Sequence, residues 1–199
     1  MEDAIKHLKK DKYLRKVIVE FETTVLKKKG DYFSALVRSI IYQQLSGKAA
    51  SSILNKFILL FPKKIPKETL VLKLKDEEFK SSGVSGQKMN YLRDLALKFT
   101  DGTIDSKKIN KQSDEEVIEH LVAVKGIGKW TAQMFLMFTL NRMDVMPTGD
   151  LGIQKGFKEI FNLRKLPDEK KMLKLSKSWR PYRTVASMYL WKVADKSKK

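Results

Sequence analysis

No cysteine occurs in the 199 residues. That excludes disulfides, thiolate zinc sites, iron–sulfur clusters and a cysteine nucleophile, and it fits a reducing, intracellular setting. Only two histidines are present. Neither His7 nor His120 has a partner at metal-ligand spacing, so no metal site built from side chains is expected. No apolar run approaches the length of a bilayer span. The opening residues, MEDAIKHLKKDK, lack the apolar stretch of a secretory leader, so no membrane partner is expected. The phosphate-loop and dinucleotide patterns GxxxxGK[ST] and GxGxxG are missing. Lys29-Gly30 within KKKGD reads as an ordinary basic turn, and the tail from Lys196 to Lys199 as a frayed, solvated end, with a nuclear address as the second reading.

What is present is basic charge on a helical pattern. Lys and Arg total 41 against 23 Asp and Glu, a net charge of +18. Such an excess fits a polyanionic partner, although a basic surface serving only solubility has the same composition. Apolar residues make up 42% of the chain, enough for one domain or two closely joined lobes. Residues 32–46 place Phe33, Leu36, Val37, Ile40 and Ile41 at helix spacing. The same pattern covers 48–61 and stops before Pro62. Residues 76–99 read as two helices split at Gly83-Val84-Ser85-Gly86. Further helices are expected at 129–138 and near 153–161, 168–176 and 184–194. Residues 62–66 and 141–152 read as loops, and Asp101-Gly102 as a turn. Ser113 with Glu116 three residues on is a capping-box spacing, which starts a helix through Val117, Ile118, Leu121 and Val122. Convincing strands are few, so the expected fold class is all-α.

The most informative stretch is Leu121-Val122-Ala123-Val124-Lys125-Gly126-Ile127-Gly128-Lys129-Trp130-Thr131-Ala132. Two glycines flank one aliphatic residue between two helices. Glycine permits positive φ and leaves no Cβ in the way, so amides at the turn and at the next helix start can face a phosphate oxygen. Lys125 and Lys129 add charge there, and Ile127 can anchor the turn in the core. A plain helix corner needing two glycines is the blander alternative. The full run, about 113–138, resembles the helix-hairpin-helix motif of the HhH-GPD superfamily of base-excision DNA glycosylases, with Lys125 where that family usually has proline. Gly126, Ile127, Gly128 and Thr131 are then, with the two lysines, the expected contacts to the DNA backbone. Such a motif reads phosphates rather than bases.

Downstream, Met146-Pro147-Thr148-Gly149-Asp150-Leu151 (within about 144–152) resembles the family's Gly/Pro-rich loop and its catalytic aspartate, which falls on Asp150. Breaking an N-glycosidic bond builds positive charge on the sugar, and a fixed carboxylate can stabilise it and orient water. Asp150 can equally be the N-cap of the following helix, and the two roles are compatible. Asp144 is a nearby rival that fits the motif poorly. Family members that also nick the backbone carry a Lys nucleophile just before Thr-Ala in the hairpin's second helix. Trp130 stands there instead, and Lys129 points about 100° away around the helix. The resemblance therefore implies a monofunctional enzyme.

The segments 33–46, FSALVRSIIYQQLS, and 179–191, WRPYRTVASMYLW, resemble the alkylbase branch, the bacterial-inducible and yeast-type 3-methyladenine DNA glycosylases. This implies a two-lobed all-α fold over residues 1–199, with the active site in the cleft between lobes and damaged duplex DNA as partner. Trp130 and Trp191 match two base-pocket aromatics, suited to stacking on a cationic alkylated base; both could instead be core. A third pocket position falls on Met134, and Tyr42 lines the pocket or the core. The wedge that fills the gap left by a flipped base falls on Gln44 or the adjacent Leu45, the latter also explicable as packing. Lys88 is the expected phosphate partner of the 78–88 segment, or else a solvated lysine. No organic cofactor is implied; the family often holds a monovalent cation on hairpin carbonyls. A monomer located in the cytoplasm or with the nucleoid, or in the nucleus of a eukaryote, would follow. Three readings stay open: an alkylbase glycosylase, a glycosylase for another lesion such as hypoxanthine or uracil, and a non-catalytic DNA-binding module.

Overall fold

Short polar side chains begin most of the helices. The computed structural model describes residues 1–21 and 31–197; Lys29-Gly30 and the last two lysines lie outside them. The helices are α1 (Glu2–Leu8), α2 (Lys12–Glu20), α3 (Tyr32–Tyr42), α4 (Gly47–Ile58), α5 (Glu68–Val71), α6 (Asp76–Ser81), α7 (Gly86–Thr100), α8 (Asp114–Val122), α9 (Lys129–Phe138), α10 (Leu151–Ile160), α11 (Glu169–Leu175) and α12 (Arg183–Lys196). Single 3₁₀ turns stand at Pro62–Lys64 and Lys177–Trp179. Among the described residues there is no strand. Asp11, Asp31, Ser46, Ser85, Asp150 and Asp168 each accept an amide proton of the helix that follows. Ser113 and Glu116 cap α8 reciprocally, as their spacing predicts.

The helix expected over 32–46 stops at Tyr42. Its apolar stripe ends at Ile41, and Ser46 is taken by the cap of α4. Between them the chain makes a turn in which Gln44 adopts φ +56°. Helix α10 begins at Leu151, two residues before the expected start, because Asp150 caps it. No helix of the described residues is long and apolar enough to cross a membrane.

The chain divides into two compact units, one of residues 1–28 and 136–199 and one of residues 29–135. In the first, α10 lies along α12, and α2 also packs on α12. Phe157, fully buried, stacks on Trp179 with ring centroids 5.1 Å apart and on Phe161 at 5.8 Å. Leu14, Ile153, Met172, Tyr189 and Leu190 complete this core. Each large side chain so buried contributes about 2–3 kcal/mol relative to exposure. Asp11 accepts from the amides of Tyr13 and Leu14, and its second oxygen accepts from the Trp179 indole at 3.0 Å, pinning the start of α2 to the 177–179 turn.

In the second unit α7 is the spine, packed on α3, α5 and α6, with α4 against α3. Leu36, Ile40, Phe57, Phe79, Leu92, Leu95, Val117 and Leu121 are buried. Phe57 lies against Phe61 and Phe79 at 5.1 and 5.7 Å.

Candidate functional site

In the second unit, α8 closes at Val122 and α9 opens at Lys129, leaving six residues for the hairpin. Val124 and Ile127 are buried and hold the turn to the core, while Lys125, Gly126, Gly128 and Lys129 are exposed. Only one of the two glycines uses its conformational freedom. Gly126 has φ +81°, and a Cβ there would come far inside van der Waals contact with Tyr91 Cδ2. Gly128 has no positive φ, and a Cβ would meet nothing. Thr131 is buried, so its expected role narrows to its amide at the helix start. The Lys125 amide donates to Asp94 Oδ2 at 2.7 Å, and the Gly126 carbonyl accepts from Gln43 Nε2 at 2.8 Å. The Val124 carbonyl accepts from the Ile127 amide at 3.0 Å. Each of these carbonyl oxygens keeps a second lone pair.

Gln44 and Leu45 are exposed in the turn between α3 and α4, so Leu45 is not a core residue. Lys88 has partners within the protein that its sequence neighbourhood does not announce. Its ammonium is part-buried and donates to the carbonyls of Ile41 at 2.7 Å and Gln43 at 2.8 Å. It closes the C-terminal end of α3, where carbonyls lack helical partners. Burial lowers its pKa below the usual lysine value. Two of its three donor protons are thus engaged by protein carbonyls, and one is left for a further partner.

Trp130 is 51% exposed at the start of α9, so it is not a core tryptophan. Met134, one turn further on the same helix face, is half-buried. Tyr42 is half-buried, with the Arg38 guanidinium 4.1 Å from its ring centre.

In the first unit, Asp150 is 8% exposed. Its Oδ1 accepts from the Ile153 amide at 2.8 Å and from the Trp191 indole at 2.9 Å. Its own amide donates to the Pro147 carbonyl at 3.0 Å, and Gln154 Nε2 braces the Thr148 carbonyl at 3.0 Å. The carboxylate is thus both a helix cap and a group fixed by an aromatic donor. Trp191 is partly buried, its ring 5.9 Å from that of Phe138. Gly152 makes room for this pair: a Cβ would come 2.7 Å from Trp191 Cδ1 and 3.1 Å from Asp150 Oδ1. Gln154, Phe138 and Gly152 are contributions that pattern reading misses, although a glycine two residues after the aspartate was a visible signal.

Asp144 has other work. It receives Arg180 Nε at 2.9 Å and Arg183 Nε and Nη2 at 2.7 and 2.9 Å. Burial pushes its pKa up, but the hydrogen bonds and charge of Arg183 and the hydrogen bond of Arg180 outweigh this and hold it below the usual carboxylate value. A carboxylate tied to two guanidinium groups is a structural anchor.

A family model described as HhH-GPD superfamily base excision DNA repair protein matches residues 37–181, which take in both the hairpin and Asp150. The chain belongs to this superfamily. Curated members of similar sequence include DNA-3-methyladenine glycosylase 1 of Schizosaccharomyces pombe, 35% identical over 185 residues covering 92% of this chain and 81% of that protein. The DNA-3-methyladenine glycosylase of Saccharomyces cerevisiae is 37% identical over 208 residues, covering 87% of this chain and 70% of that protein. Among solved structures, the S. pombe 3-methyladenine DNA glycosylase in complex with abasic DNA superposes with a TM-score of 0.81 at 33% identity, covering 96% of this chain and 95% of that one. The DNA-3-methyladenine glycosidase of Bacillus halodurans gives 0.88 at 38% identity, covering 98% and 90%. Trp191, beside Asp150 in the structure, lies beyond the matched range.

Proposed function

We propose that this HhH-GPD protein is a monofunctional DNA N-glycosylase that flips out and excises alkylated purines of the 3-methyladenine and 7-methylguanine type, leaving an abasic site. The observation that carries the reading is the Asp150 carboxylate, nearly buried yet held by the α10 amide and the Trp191 indole on the loop that follows the hairpin.

An alkylated purine carries positive charge, so it departs as a neutral base when its bond to C1′ breaks. The sugar then gains positive charge. Asp150, ionised, stabilises that charge and orients water, whose oxygen bonds C1′ while its proton passes to the carboxylate or to solvent. Trp191, beside Asp150, offers a ring face to the cationic base; base-pocket roles for Trp130, Met134 and Tyr42 follow from the family resemblance. Gln44, with Leu45 beside it, fills the gap in the stack. The amides of Gly126, Gly128, Lys129 and Thr131 and the charges of Lys125 and Lys129 hold the DNA backbone, with Ile127 anchoring the turn beneath them. Trp130 occupies the position where a lyase needs lysine, so no strand nicking accompanies base release. No organic cofactor takes part. The hairpin carbonyls, Val124 among them, keep lone pairs that fit a monovalent cation, which would stiffen the turn. The protein works as a monomer on duplex DNA, in the nucleoid or nucleus.

The test is release of free methylpurine from methylated duplex, with alkali to score abasic sites. Wild type should release base without a break before alkali. Asp150→Asn should lower release by at least about 100-fold and still bind duplex. Release that persists in Asp150→Asn would sink the catalytic assignment. Tight duplex binding without methylpurine release by wild type would point to another lesion, or to a binding module.

A further inference from the structure

The turn between α3 and α4 and the hairpin between α8 and α9 are distant in sequence but joined by side chains. Gln43 Nε2 donates to the Gly126 carbonyl at 2.8 Å across 83 residues of sequence. The carbonyl of the same Gln43 is held by Lys88 Nζ at 2.8 Å. Lys88 sits on α7, which also supplies Tyr91 beneath Gly126 and Asp94 on the Lys125 amide. Gln87 Nε2 in turn fixes the Tyr91 hydroxyl at 2.7 Å. Residues 87, 88, 91 and 94 fall at helical spacing on one face of α7. That face therefore holds both loops, and Gln43 closes the ring between them.

Gln44, next in the chain, has φ +56°. This region is unfavourable for a residue with a Cβ and persists where the surroundings impose it. Gln43 is the residue on which they act, fixed at its carbonyl by Lys88 and at its side chain by Gly126. The exposed Gln44 and Leu45 project from that fixed point.

We infer that Gln43 is a positioning residue that sets the wedge turn in register with the phosphate-holding hairpin, with α7 as the shared support. The inference rests on the glycosylase reading above. Holding a flipped-out nucleotide requires the hairpin to grip a phosphate while the wedge enters the stack, so their separation matters only on DNA with a gap to fill. Undamaged duplex, gripped through phosphates alone, is indifferent to it.

The experiment compares affinity of the full chain for a duplex carrying a stable tetrahydrofuran abasic analogue with affinity for the same duplex undamaged. Gln43→Met keeps length and removes the donor; Gln43→Glu removes the donor and sets charge against the Gly126 carbonyl. Both should weaken abasic-duplex binding by roughly three- to tenfold, the Glu variant more, with undamaged-duplex affinity within about twofold of wild type. In a Gln44→Ala background, Gln43→Met should cost little further, because both act through one wedge. Equal loss on both duplexes, no loss on either, or full additivity with Gln44→Ala would overturn the positioning role. A wild type that does not favour the abasic duplex would instead remove the glycosylase reading on which the inference stands.

Discussion

The indole N–H of Trp191 donates to Asp150 Oδ1 at 2.9 Å, and that same oxygen caps α10 through the Ile153 amide. Two donors on one oxygen fix the carboxylate's rotation as well as its place. A hydrogen bond to a charged group contributes about 1.5–3 kcal/mol. Trp191→Phe keeps an aromatic face and deletes the donor, so single-turnover base release should slow by roughly tenfold or more, while affinity for undamaged duplex stays within about twofold. If Trp191→Phe releases base at the wild-type rate and Trp191→Ala does not, the ring matters and its N–H does not.

Asp144 and Asp150 are six positions apart and should separate cleanly in experiment. The folded-state pKa of Asp144 is depressed by Arg183 and Arg180 against burial. A depressed carboxylate stabilises the fold fully above its unfolded value, 3.8, and loses that contribution as pH falls through the lower folded value. Urea unfolding should therefore show wild type more stable than Asp144→Asn by a constant margin near neutral pH, with the margin shrinking below about pH 4. Base release per folded molecule should survive in Asp144→Asn. A margin that grows toward acid would contradict the ion-pair account.

The hairpin, the all-helical class and the α8 start were legible because each is written locally. Ser113 with Glu116 caps a helix whatever surrounds it, and glycines flanking Ile127 mark a turn. The cap at Asp150 was also open to reading, since capping needs only a carboxylate before a helix. What could not be read is pairing across sequence. Nothing near Lys88 points to the carbonyls of Ile41 and Gln43, and nothing near Trp191 points to Asp150, 41 residues earlier. Periodicity also overran α3 by carrying helix spacing into Gln43 and Gln44, where the stripe had already ended.

Asp11 is a second aspartate with two duties. It caps α2 and accepts the indole proton of Trp179, which is fully buried. Losing a cap costs about 1 kcal/mol, and leaving a buried donor unsatisfied about 1–3 more. Asp11→Ala should thus destabilise by roughly 2–4 kcal/mol in urea unfolding. Duplex binding per folded molecule should be unchanged. A loss below about 0.5 kcal/mol would mean that water replaces the carboxylate at Trp179.

The two hairpin glycines should respond differently to a methyl group. At Gly126 the φ of +81° disfavours any Cβ by about 1–2 kcal/mol, and the new atom would also have to displace the Tyr91 ring. Because Lys125 and the Gly126 carbonyl are tied to Asp94 and Gln43, moving Tyr91 shifts the hairpin amides as a group. Gly126→Ala should therefore weaken binding to abasic and undamaged duplex alike, unlike the Gln43 variants, and should lower stability. At Gly128 a Cβ meets no protein atom, so Gly128→Ala should leave stability within about 0.5 kcal/mol of wild type. Any loss of affinity in that variant then reports the space that a DNA phosphate needs beside the amide. Equal destabilisation by both changes would show that the hairpin backbone is held differently from the geometry described.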